Sequence, residues 1–105
     1  YNANPTSVAA ALRSLAALSA RRRVAVLGTM AELGPDSVEA HRAISQLASD
    51  LGIDMISVAE PALGGRVTAD VDEAADALDI VDEGVAVLVK GSRVAGLERL
   101  ADRLR

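Results

Sequence analysis

The chain has 105 residues, of which 50% are apolar, with a formal net charge of −4 and no cysteine. That length suits one domain, 1–105, with a modest core. The acidic balance argues against a general nucleic-acid or anionic-membrane binder, since both need a dense basic face. Without cysteine there is no disulfide, thiolate metal site or cysteine nucleophile. Tyr1 is the only aromatic residue, so the core must be built from Ala, Val, Leu and Ile. No apolar run approaches the roughly 20 residues of a bilayer span. No signal peptide is visible, and Tyr1 in place of Met points to a trimmed or excised segment.

The chain opens on a polar turn, Tyr1 to Ser7. Asn4 suits an N-cap and Pro5 the first helical position, where a missing N–H costs nothing. Val8, Ala11, Leu12, Leu15 and Leu18 recur at helical spacing, predicting a helix to about Ala20. Arg21-Arg22-Arg23 follows, where cations complement the negative end of the helix dipole. Val24–Leu27 reads as a short buried strand ended by Gly28, with a loop from Thr29 to Pro35.

A helix is expected from Asp36 or Ser37, with Glu39 three residues past Asp36 in a capping-box arrangement. Its apolar face is Ala40, Ile44, Leu47, Ala48 and Leu51, and Gly52 is a natural residue just past its end. Met55–Val58 reads as a second strand. Glu60–Gly65 is a connection whose Gly64-Gly65 pair reads as a flexible turn, and Arg66–Ala69 as a short edge strand. Asp70, with Glu73 three residues on, caps a helix carrying Val71, Ala74, Ala75 and Leu78. Asp82-Glu83-Gly84 turns the chain into Val85–Val89, an apolar run read as a strand buried on both faces. Beyond it Leu97, Leu100, Ala101 and Leu104 return to helical spacing.

Strands alternating with helices predict an α/β fold, an open, mostly parallel sheet with helices on both faces. Such a domain normally begins with a strand, and here a helix comes first. A strand preceding Tyr1 is therefore expected and lies outside this chain.

Most motif tests are empty: there is no phosphate loop and no G-x-G-x-x-G. His41, the one histidine, falls between Ala40 and Ile44, which favours a boundary packing or capping role over catalysis. Asp70, Asp72, Glu73, Asp76 and Asp79 spread round a helix as a solvated face, since hard cations need converging oxygens. Two stretches stand out, both at carboxyl ends of predicted strands, where open α/β sheets bind ligands. One is Lys90-Gly91-Ser92-Arg93, which holds the only lysine; the other is Gly28 to Gly34, with Thr29, Met30 and Glu32. If their strands are neighbours, cations, a hydroxyl and N–H groups converge near a glutamate. That set fits a small zwitterion, and the residues alone fit a helix start with solvated charges equally well.

Three motifs occur in order: Tyr-Asn-Ala-Asn-Pro-x-Ser, Val-Leu-Gly-x-Met-x-Glu-Leu-Gly before a helix with His, and Val-Leu-Val-Lys-Gly-Ser-Arg. Together they resemble the C-terminal domain of the Mur ligases of the MurF type. The resemblance implies a Rossmann-like domain of a bacterial, cytoplasmic, ATP-dependent ligase of peptidoglycan synthesis. In that family ATP activates the carboxylate of UDP-N-acetylmuramoyl-tripeptide as an acyl phosphate, and the amine of D-Ala-D-Ala attacks it. ATP and Mg2+ are held mainly by a central domain, and the UDP-sugar by an N-terminal one; neither domain is in this chain. No catalytic residue and no metal ligand is thus expected here, and the isolated chain should be inactive.

Matched residue by residue, Tyr1, Asn2 and Asn4 correspond to the segment that meets the nucleotide. Thr29, Met30, Glu32, Lys90, Gly91, Ser92 and Arg93 correspond to the dipeptide side of the cleft. The family often has aspartate where Thr29 stands, so an ionic role does not transfer to that position. Two other readings remain open: a stand-alone Rossmann-like nucleotide- or metabolite-binding module, and a sister Mur ligase that adds a single amino acid.

Overall fold

The computed structural model describes residues 4–30, 34–78 and 84–90. The first helix, α1 (Pro5–Ala17), starts as its sequence dictates. Asn4 is extended, and its side chain accepts the Ser7 N–H at 2.9 Å. The Ser7 hydroxyl in turn accepts the Asn4 N–H at 3.3 Å, completing a capping box. The C-terminal boundary departs from expectation. Leu18 is not on the buried face: it is the extended C-cap residue and 53% exposed. Arg23 ends the helix there, its guanidinium donating through Nε (3.0 Å) and Nη2 to the Leu18 carbonyl. For Arg23 this is the dipole-complementing role expected of the arginine run, whereas Arg22 pairs with Asp54 instead.

Strand β1 (Arg22–Leu27) leads through a 3₁₀ turn at Gly34–Asp36 into α2 (Ser37–Asp50). The predicted capping box at Asp36 does not form. Asp36 belongs to the 3₁₀ turn (φ −87°, ψ 4°) rather than being extended, and its side chain makes no cap hydrogen bond. Ile44 and Ala48 are buried, with Ala40, Leu47 and Leu51 packed beside them. Gly52 adopts φ +72° just past the helix end.

Strand β2 (Asp54–Val58) and strand β3 (Arg66–Thr68) are parallel neighbours, although parallel pairs usually need a long crossover. The register explains the economy. Arg66 pairs with Ile56, so the chain retreats only from Val58 to the level of Ile56, roughly 7 Å at about 3.3 Å per residue. Residues 59–65 manage this with a 3₁₀ turn at Pro61–Leu63 and positive φ at Ala59 (56°), Gly64 (67°) and Gly65 (62°). Gly65 is not simply a flexible turn residue. A Cβ there would lie 2.7 Å from Met55 Cβ and closer still to the Met55 carbonyl oxygen.

Helix α3 (Val71–Leu78) is capped by Asp70, whose carboxylate accepts the Glu73 N–H at 2.9 Å. The Glu73 carboxylate reaches back to the Ala69 N–H at 2.8 Å. Strand β4 (Val85–Lys90) then pairs in parallel with β1, giving the order β3-β2-β1-β4. The sheet alternates as its sequence does. Ala25 and Leu27 pack with Val8, Leu12 and Leu15 of α1 and Ile44 of α2, whereas Val24 and Val26 pack with Ala74 and Leu78 of α3. Fully burying one such leucine is worth roughly 1.5–3 kcal/mol, so these two faces carry the fold.

The expectation that β4 is buried on both faces is not met: all six of its residues are half-buried. Only β1 flanks it among the described residues, so it sits at the margin of that sheet. The turn at Gly84 is described; Asp79, Asp82, Glu83, Leu97, Leu100, Ala101 and Leu104 lie outside the described residues. None of the described helices is long and apolar enough to cross a membrane.

Candidate functional site

After β1 the chain moves one way, through α2 to β2 and β3; β4 returns on the other flank of β1. The carboxyl ends of β1 and β4 are therefore a topological switch point, where open α/β sheets leave a crevice. Leu27 pairs with Lys90, and the next residue, Gly28, donates its N–H to the Lys90 carbonyl at 2.9 Å. The two stretches singled out in the sequence are thus hydrogen-bonded neighbours.

Each side of this junction is held firmly. Gly28 and Met30 are buried and Thr29 between them is half-buried, so Thr29 is where this segment meets solvent. The Met30 side chain is 2% exposed and belongs to the α1–α2 core cluster. By strand alternation Lys90 shares the face of Ala86 and Leu88, which pack against that cluster.

The helices add to the electrostatics. α2 connects β1 to β2, so its N-terminus lies at the carboxyl edge. α1 packs in the same cluster and leads into the start of β1 through Leu18 to Arg21, so its N-terminus lies at that edge too. Two positive dipole ends and Lys90 favour an anion at this edge, offset at α2 by the carboxylates of Asp36 and Glu39.

Among the predicted site residues, the structure brings Thr29, Met30 and Lys90 together and places Asn4 on the same edge of the sheet. The Asn4 Oδ1 is taken by the capping box, which leaves its Nδ2 group outside that box. Tyr1, Asn2, Glu32, Gly91, Ser92 and Arg93 lie outside the described residues. Among the described residues the acidic positions do not converge: Asp70 and Glu73 are spent on capping, and Asp76 is exposed. Among the described residues no group of three or more His, Cys, Asp or Glu could hold a metal ion. They do not fit a magnesium site.

One residue of this edge was undervalued by its sequence context. His41 is 0% exposed, deeper than a boundary position. Its Nε2 accepts the Met30 N–H at 2.8 Å, and its Nδ1 lies 2.6 Å from the Ser37 carbonyl and 3.3 Å from the Ser37 hydroxyl. Glu60, at the exit of β2, brings Oε1 to 3.6 Å from Nε2 while its Oε2 accepts the Ala62 N–H at 3.4 Å. The only sequence signal for this was a polar residue on a buried helical face.

The opposite edge is plainer. Arg22 pairs with Asp54 at 2.9 Å, both side chains partly solvated, so the bridge contributes at most about 1 kcal/mol.

Comparison with known proteins follows the same outline. Residues 1–93 match the family model described as Mur ligase, glutamate ligase domain. The chain is 41% identical to the UDP-N-acetylmuramoyl-tripeptide–D-alanyl-D-alanine ligase of Treponema pallidum, over 100% of this chain and 26% of that protein. It is 36% identical to the ligase of the same name from Mycobacterium tuberculosis, over 99% of this chain and 27% of that protein. Among solved structures it resembles MurF ligase from Thermotoga maritima in complex with ADP. The TM-score is 0.80 at 28% identity, over 97% of this chain and 26% of that one. MurF from Acinetobacter baumannii also superposes with a TM-score of 0.80, at 31% identity over 99% of this chain and 26% of that one. The chain spans about a quarter of the length of the curated relatives it matches.

Proposed function

The chain belongs to the Mur ligase family, and from that premise we propose that it forms the C-terminal, acceptor-binding and closing domain of a MurF-type ligase. The whole enzyme would join D-Ala-D-Ala to UDP-N-acetylmuramoyl-tripeptide in peptidoglycan synthesis, in the bacterial cytoplasm. The observation that carries this reading is the Gly28 N–H to Lys90 carbonyl bond. It sets the ends of two family motifs side by side at the switch point.

The acceptor is a zwitterion, and the residues suit one. Lys90 supplies a cation for its carboxylate, and Ser92 and Arg93, next in sequence, add a hydroxyl and a second cation. Thr29 offers a hydroxyl in place of an acid, and Glu32 supplies a carboxylate for the ammonium. ATP, as co-substrate, would activate the tripeptide's carboxylate, with Mg2+ held by domains beyond this chain. Tyr1, Asn2 and the Nδ2 group of Asn4 would meet the nucleotide from this side. What the domain contributes is position: it binds the amine-bearing substrate and aligns it for attack.

The test is an acceptor titration of the full open reading frame that encodes the chain. With ATP and UDP-N-acetylmuramoyl-tripeptide present, D-Ala-D-Ala should be ligated far better than diaminopimelate or lysine. Preference for a single amino acid would instead select a sister Mur ligase. Absence of ATP-dependent ligation with any acceptor would leave a binding module.

A further inference from the structure

The His41 ring is a fully buried polar group that the proposed acceptor contacts do not use. Its partners fix its protonation pattern. A backbone N–H at 2.8 Å must meet a bare lone pair, so Nε2 carries no proton. The Ser37 carbonyl at 2.6 Å can only accept, so Nδ1 carries the proton. A doubly protonated ring would set N–H against N–H at Met30. The nearby Glu60 carboxylate, at 3.6 Å, is beyond hydrogen-bond range of Nε2.

The consequence falls on Thr29. Gly28 is tied to β4 by its N–H and Met30 to α2 by His41, so the half-buried residue between them is held at both ends. We propose that His41, as its neutral Nδ1–H tautomer, is a positioning residue of the acceptor site, fixing the Met30 peptide so that Thr29 stands beside Lys90. The inference rests on the ligase reading for its effect on catalysis, though not for the tautomer itself. His41 acts through Met30 and touches no substrate.

Two substitutions separate its bonds. In His41→Gln the longer amide can place its oxygen where Nε2 lies and keep the Met30 acceptor. In His41→Asn the shorter amide can serve Ser37 but leaves the Met30 N–H without a partner. In the full open reading frame, His41→Asn should raise the KM for D-Ala-D-Ala about tenfold. His41→Gln should stay within about threefold of the parent, and the KM for ATP should not move in either variant. Equal acceptor KM values in both variants and the parent would overturn the proposal, as would a parallel rise for ATP and acceptor.

A second measurement needs neither variant to be active. The ¹⁵N imidazole spectrum of the same protein should show His41 protonated at Nδ1 and bare at Nε2; an Nε2–H or doubly protonated ring overturns the proposal. If the parent ligates nothing, the ligase reading fails while the tautomer result stands. If it ligates and His41→Asn behaves as the parent, only the role of His41 fails.

Discussion

Two segments leave the carboxyl edge of the sheet within reach of His41, and they are built by different means. The exit from β2, residues 59–65, is set by shape. Left-handed Ala59, Gly64 and Gly65 fold the chain back so tightly that Met55 occupies the space of a Gly65 side chain. The flanking strands brace it, Ser57 Oγ of β2 donating to the Gly64 carbonyl at 3.0 Å and Thr68 Oγ1 of β3 to the Ser57 carbonyl at 2.7 Å. The exit from β1, residues 28–30, has no positive φ and is instead held by hydrogen bonds from other elements. Shape holds a fold, whereas a buried ring that must be desolvated to hold one peptide is an expensive device for the same task. On the proposed reading, the contrast assigns the β2 exit to architecture and the β1 exit to the acceptor site.

Substitutions can break that contrast. Gly65→Ala should have the largest effect, lowering stability by about 3 kcal/mol, because positive φ and a backbone overlap act together. Denaturant unfolding would show it, and the acceptor KM of the protein that still folds should be unchanged. Thr68→Val should cost about 1–1.5 kcal/mol by leaving the Ser57 carbonyl short of a buried donor, again without a kinetic effect. Ala59→Gly should gain about 0.5–1 kcal/mol, since glycine accepts the φ of 56° without strain. A kinetic defect without loss of stability in any of the three would erase the distinction between the exits.

The sequence made the frame legible because the frame is local. Asn4, Pro5 and Ser7 announce the start of α1, Gly52 the end of α2, and apolar runs the strands. The adjacency of Gly28 and Lys90 followed from strand order once β1 and β4 were neighbours. What stayed hidden depends on partners distant along the chain. Nothing near His41 reveals that its ring meets Met30 and approaches Glu60, and nothing near Gly65 names Met55 as the atom group it must avoid. Leu18 continued the helical period although Arg23 had already claimed its carbonyl. The Asp36–Glu39 spacing suggested a box that a 3₁₀ turn precludes. Periodicity reads burial; it does not read who meets whom.

The central claim is that the junction of β1 and β4 receives the acceptor. The most direct measurement is the KM for D-Ala-D-Ala of Lys90→Ala in the full open reading frame, alongside its thermal unfolding. The account predicts a rise of at least about tenfold, the loss of one charge-assisted contact, with Tm changed little because β4 is half-buried. An unchanged KM in a protein that unfolds at the parent temperature would contradict it and remove Lys90 from the site.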